Sequence, residues 1–96
     1  MLTPLAESHT ALIFDMTKLK VVFFASSREA AGVAEAQIEF QGDDTAALLR
    51  TLSETYPKLS ELLPRCALAC NGEYAEGVQT LADGDEVAVI PPVSGG

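Results

Sequence analysis

The stretch KLKVVFFASSREAAGVAEAQIEFQGDDTAALLRTLSETY (residues 18–56) sets the architecture. Leu19 to Ala25 is dense in Val and Phe, which is the composition of a strand. Ser26 to Gly32, SSREAAG, is too short for an ordinary helix and reads as a single turn ended by Gly32. Ala36 to Phe40 alternates apolar and polar residues, so it predicts a second strand able to form a hairpin with the first. Gln41 to Asp44 interrupts that strand, and Asp44 or Thr45 offers a side-chain oxygen to cap a helix running to Tyr56. Along the helix Leu48, Leu49, Leu52 and Tyr56 recur at i, i+1, i+4 and i+8 and therefore line one face.

Toward the C-terminus, Pro57 ends the helix, and Leu59, Leu62 and Leu63 predict a short second helix stopped by Pro64. Cys66 to Cys70 reads as a third strand. Asn71-Gly72 follows it, and a type I′ hairpin turn needs positive φ at both positions, which these two residue types tolerate. Glu73 to Ala75 is the expected return strand. Asp83-Gly84-Asp85 is a further turn, and Glu86 to Ile90 alternates into a last strand. Two strands, one long helix and further strands predict an α+β domain with the helix on one face of the sheet, most simply a ubiquitin-like β-grasp. Val87 and Val89 point to one side of the last strand and Ala88 and Ile90 to the other. One helix covers one face only, so apolar area remains for a partner, with Phe23 or Phe24 on the open side.

A chain of 96 residues has room for a single domain. Hydrophobic residues at 48% and charged residues at 21% give the balance of a globular chain rather than a disordered one. No apolar run approaches the ~20 residues of a membrane span. The net charge of −8 argues against phosphate backbones and anionic lipid as partners, so neither nucleic acid nor membrane is expected. All six basic residues lie at or before Arg65, whereas Cys66 to Gly96 carries Glu73, Glu76, Asp83, Asp85 and Glu86 and no cation. A basic partner surface suits that half. Residues 1–15 read as an N-terminal extension, 16–90 as the domain and 91–96 as a tail. The extension lacks Lys and Arg and so resembles neither a secretory signal nor a transit peptide. Its His9 is expected to be solvated, and its ALIF stretch could add a strand to a sheet edge.

The two cysteines do not suggest a bridge or a metal site. Residues four apart on a strand lie roughly 13 Å apart, beyond the ~7 Å that a disulfide spans. Zinc would need further ligands at matching spacing. Free thiols acting as small buried hydrophobes fit a reducing compartment, so the expected location is cytoplasmic.

After Ile90 the sequence runs Pro91-Pro92-Val93-Ser94-Gly95-Gly96. The prolines lack N–H donors and favour an extended backbone, and the final glycines carry no side chain. Six such residues reach roughly 20 Å, as a stiff base with a thin tip. Together KVVFFASSREAAG (20–32), CNGEYA (70–75) and LADGDEVAVIPPVSGG (81–96) resemble the small, sulfur-carrying subunit of molybdopterin synthase, the MoaD family. The resemblance covers Lys18 to Gly96. It implies a β-grasp whose C-terminal glycine, Gly96, is adenylated with ATP by a MoeB-like adenylyltransferase and converted to a thiocarboxylate (1-thioglycine). A MoaE-like large subunit, in a heterotetramer, would use that sulfur to build the dithiolene of molybdopterin. No cofactor bound by this chain is implied. The chemistry suits the residues, because an ionised C-terminal carboxylate is a poor electrophile until it is activated. Gly96 is then the reacting residue. Gly95, Ser94, Val93, Pro92, Pro91 and Ile90 are the expected binding residues, the tail entering a partner's channel from the strand that ends at Ile90, with Phe24 on the open side and Arg28 as the candidate for a partner-facing salt bridge. Cys66, Cys70 and residues 1–15 depart from the family's pattern and leave the tail untouched.

Two other readings share a Gly-Gly end. One is a ThiS-like carrier for thiamine biosynthesis, and the other is a protein modifier that forms isopeptide bonds. An unmodified interaction module is a third.

Overall fold

The computed structural model describes residues 16–92. Five strands form one sheet in the order β2-β1-β5-β3-β4. Strand β1 (Met16–Phe23) buries Thr17, Leu19, Val21 and Phe23 on one side, the period-2 pattern of a half-covered strand. It pairs antiparallel with β2 (Glu35–Gln41), with Leu19 opposite Ile38. Between them lies α1 (Ser26–Ala31), whose end is set by Gly32 at φ 83° with its N–H on the Arg28 carbonyl at 2.8 Å. That left-handed residue stops the helix where the sequence placed the stop.

Helix α2 (Thr45–Thr55) starts at Asp44, whose carboxylate accepts the Ala47 N–H at 2.8 Å. Of the two capping candidates Asp44 supplies the cap. Thr45 is buried instead, and its hydroxyl accepts the Gln79 N–H at 3.1 Å, tying the start of the helix to the loop before β5. Leu48 and Leu52 are fully buried, while Leu49 and Tyr56 flank the core half-buried. The Tyr56 ring meets Phe23 edge-on at 5.5 Å. The short helix expected over Leu59 to Leu63 is instead two 3-10 turns, Pro57–Leu59 and Leu63–Arg65. Pro64 sits inside the second turn rather than ending a helix, because the first positions of a turn need no N–H donor. Both turns still bury their leucines, Leu59 and Leu63.

Strand β3 (Ala67–Cys70) begins one residue later than expected, leaving Cys66 at the end of the second 3-10 turn. Asn71 and Gly72 turn it into β4 (Glu73–Tyr74) with φ of 53° and 87°, the left-handed pair of a type I′ turn. Asn71 does more than turn. Its N–H donates to the Glu86 carbonyl at 2.8 Å and its Oδ1 accepts the Glu86 N–H at 3.0 Å, which fixes the hairpin to the start of β5 (Glu86–Ile90).

The last strand lies between β1, to which it is parallel, and β3, to which it is antiparallel. Its Val87 and Val89 are 0% exposed, closing a core that α2 covers from one side. This is the ubiquitin-like β-grasp that the element pattern predicts. Residues 1–15, including His9 and the ALIF stretch, lie outside the described residues. Asp44→Ala should remove the helix cap at a cost of about 1 kcal/mol. A thermal melt should show Tm lower by about 4–8 °C.

Candidate functional site

The candidate site is the end of the sheet where β5 gives way to the tail. Ile90 is half-buried, Pro91 is buried and Pro92 is exposed. Neither proline can donate to a ladder, so the sheet ends at Ile90 for a covalent reason. Val93, Ser94, Gly95 and Gly96 lie outside the described residues.

Parallel pairing brings the other site residues here. Because Phe23 is opposite Val89, β1 and β5 finish side by side, and the chain that follows β1 lies next to the tail's root. The Phe24 N–H donates to the Val89 carbonyl at 3.2 Å. Phe24 is 49% exposed whereas Phe23 is 1%, so Phe24 is the open-side residue and Phe23 belongs to the core. Arg28 follows on α1, exposed, with no ion pair among the described residues.

Register extends the patch beyond the residues singled out from sequence. Directly paired residues share a face, so Val22, Ala88 and Ala69 stand in one row, with Ala67 beside Ile90 and Tyr74 beside Ala69. Tyr74 is 68% exposed. The result is a shallow apolar surface floored by alanines and rimmed by Phe24, Ile90 and Tyr74. On the same face β2 presents Glu35, Gln37 and Glu39, all exposed, so the sheet is apolar toward the tail and polar toward its far edge. Lys20 and Glu86 form an ion pair of 3.5 Å between the two zones. Sequence parity flags Ala88 and Ile90, but Val22, Ala67, Ala69 and Tyr74 join them only once the strand order is known.

Cys66 and Cys70 are free and half-buried. Burial raises the Cys66 thiol above its ordinary pKa, and burial followed by the Asp85 carboxylate raises Cys70. Both are therefore protonated at neutral pH and poor nucleophiles. Among the described residues no group of three or more His, Cys, Asp or Glu could hold a metal ion, and no helix is long and apolar enough to cross a membrane. The arrangement can dock a partner on an apolar face and present a tail beside it.

Such a β-grasp, with an open apolar face beside the strand that ends at Pro91-Pro92, places the chain among ubiquitin-like proteins. The comparisons narrow the class. The ThiS family model matches residues 21–96. A molybdopterin synthase sulfur carrier subunit of Chlamydomonas reinhardtii is 44% identical over 82 residues, covering 82% of this chain and 99% of that protein. The solution structure of small archaeal modifier protein 1 from Methanosarcina acetivorans superposes with a TM-score of 0.74 at 31% identity, over 84% of this chain and 98% of that one. A protein–protein complex of subunits 1 and 2 of molybdopterin-converting factor from Helicobacter pylori contains a chain that matches with TM-score 0.60 and 28% identity, over 83% of this chain and all of that one. The chain belongs to the ThiS family and, within it, to the molybdopterin synthase sulfur carrier subunits, the MoaD family that its tail resembles.

The thiols give a test of the site's chemistry. Alkylation of Cys66 and Cys70 by iodoacetamide, followed by intact mass, should be slow at pH 7. Its rate should climb only along a titration curve lying above the ordinary thiol value of about 8.5. Rapid modification at neutral pH would mean that a thiolate is stabilised here.

Proposed function

We propose that this chain carries sulfur as a thiocarboxylate on Gly96 and delivers it, within molybdopterin synthase, to the dithiolene of molybdopterin. The observation that carries the reading is the identity with sulfur carrier subunits across nearly their whole length, in a family match that runs through Gly96. In the activation step the Gly96 carboxylate attacks the α-phosphate of ATP, giving an acyl adenylate and pyrophosphate. A sulfur nucleophile then displaces AMP and leaves the thiocarboxylate. An adenylyltransferase of the MoeB kind supplies the nucleotide site, and this chain supplies an unhindered carbonyl. Gly95 and Gly96 matter because a Cβ at either would crowd a channel that takes bare backbone. The carrier works in the cytoplasm, and no cofactor stays bound to it.

The large subunit, MoaE-like and assembled with this chain as a heterotetramer, docks on the apolar face of Val22, Ala69, Ala88 and Ile90. Phe24, Arg28, Pro91 and Pro92 guide the tail into its site. Support comes from the complex of subunits 1 and 2 in the Helicobacter pylori converting factor and from the exposed apolar area left by a single helix. A second reading, conjugation to lysines, is favoured by the likeness to small archaeal modifier proteins.

One experiment separates the two. Incubation with ATP, the activating enzyme and a sulfur source should raise the intact mass by the difference between sulfur and oxygen, with no ladder of conjugates on a gel. Adding one residue after Gly96, or substituting Gly96→Val, should abolish thiocarboxylate formation and leave the melting curve unchanged. An added residue moves the reacting carbon by roughly 3.3–3.6 Å, out of the ~3–3.5 Å range that reaction needs. Dithiolene synthesis at ordinary rates by either variant would overturn the reading. On the docking face, Ile90→Asp should raise the Kd for the large subunit by about tenfold or more while the domain stays folded.

A further inference from the structure

Between β1 and α1 the chain makes a tight turn, Phe24 to Ser27, closed by the Ser27 N–H on the Phe24 carbonyl at 3.0 Å. Ala25 has φ 51° and ψ −127°, the first central position of a type II′ turn. Glycine usually fills that position, because an L side chain is strained at such a φ. Alanine persists there only if the surroundings hold it.

Ser27 holds it. The residue is 0% exposed, although it follows a loop. Its Oγ accepts the Phe24 N–H at 2.9 Å, donates to the Phe24 carbonyl at 2.6 Å and stands 3.1 Å from the Val89 carbonyl. The single hydroxyl proton goes to the shorter contact, with Val89 as the second acceptor of a three-centre bond. One buried oxygen therefore engages both backbone polar groups of Phe24 and reaches the residue before Ile90.

We propose that Ser27 is a positioning residue for partner docking. It fixes the exposed Phe24 against the end of β5, so that the large subunit meets Phe24, Ile90 and Pro91 in one set arrangement. The inference rests on the reading of Phe24 and Ile90 as partner-facing. Without the hydroxyl, the bond from the Ser27 N–H to the Phe24 carbonyl remains and the domain stays folded. Phe24 keeps its N–H on the Val89 carbonyl at 3.2 Å, but its backbone loses the Ser27 hydroxyl that braces both of its polar groups, and Ala25 relaxes toward negative φ. The partner must then order a mobile aromatic side chain, and affinity falls.

A double-mutant cycle on the full chain tests this, with the Kd for the synthase large subunit read by titration calorimetry and folding checked by thermal melt. Ser27→Ala should raise Kd about five- to tenfold, the loss expected for one buried hydrogen bond. Phe24→Ala should raise it further, and adding Ser27→Ala to Phe24→Ala should change nothing more. Ser27→Cys, which keeps the size with a weaker donor, should fall between wild type and Ser27→Ala, and it takes alanine's place in the cycle if that variant fails to fold. A Ser27 penalty that persists unchanged without the Phe24 ring would overturn the inference alone. An unchanged Kd for Ser27→Ala would do the same. If Phe24→Ala itself left Kd unchanged, the docking reading of Phe24 and the inference would fall together.

Discussion

The parallel pairing of β1 with β5 is the constraint on which the rest of the structure depends. The last strand of the chain occupies the middle of the sheet, with β1 as its neighbour on one side and β3 on the other. Its Val87 and Val89 are fully buried, each such side chain contributing about 1.5–3 kcal/mol. A parallel neighbour cannot be reached by a tight turn, so the chain between must cross over, and α2 makes that crossing on the core side. The end that the proposed chemistry uses thus leaves the most deeply embedded strand. A tail anchored there can be pulled into a partner's channel without peeling an edge from the sheet.

The same placement divides the labour of the two faces. Below the sheet, Leu48 and Leu52 of α2 meet Leu19, Val21, Phe23, Val87 and Val89 in a closed core. Above it, Val22, Ala67, Ala69 and Ala88 leave a low floor that a partner's side chains can approach closely. Toward β2 the face carries Glu35, Gln37 and Glu39, and charges on an edge strand discourage pairing with a stray chain. The ion pair of Lys20 and Glu86 lies at the boundary, with side chains 37% and 55% exposed. Exposed pairs of this kind contribute little stability, at most about 1 kcal/mol before screening, and its larger effect is to mark where the apolar zone stops.

The acidic C-terminal third has a structural meaning as well as an electrostatic one. Asp83 Oδ1 accepts the Lys18 N–H at 2.9 Å, and Asp85 Oδ2 accepts the Ala82 N–H at 2.9 Å. From the turn that feeds β5, these carboxylates satisfy one backbone donor of β1 and one of the turn itself, and Glu86 is paired with Lys20. Glu73 and Glu76 remain exposed and available to a basic partner. Turn chemistry therefore accounts for part of the acidic bias of this half of the chain.

Local features were legible in the sequence because their causes are local. A run dense in Val and Phe marks β1, period-2 alternation marks β2 and β5, the 3.6-residue stripe marks α2, and Gly32, Asp44 and Asn71-Gly72 act through their own backbone or within three residues of it. The resemblance of the tail likewise needs only the order of its residues. Tertiary structure decided what depends on distant partners. It chose 3-10 turns over a helix around Pro64, where two leucines had to reach one core. It made Phe24 rather than Phe23 the exposed aromatic, because the pairing of Phe23 with Val89 fixes which parity of β1 faces inward. It also buried Ser27, which the sequence shows only as part of the turn over Ser26 to Gly32. The carbonyl that its hydroxyl reaches belongs to Val89, 62 residues further on, and no local pattern encodes a hydrogen bond made across a sheet.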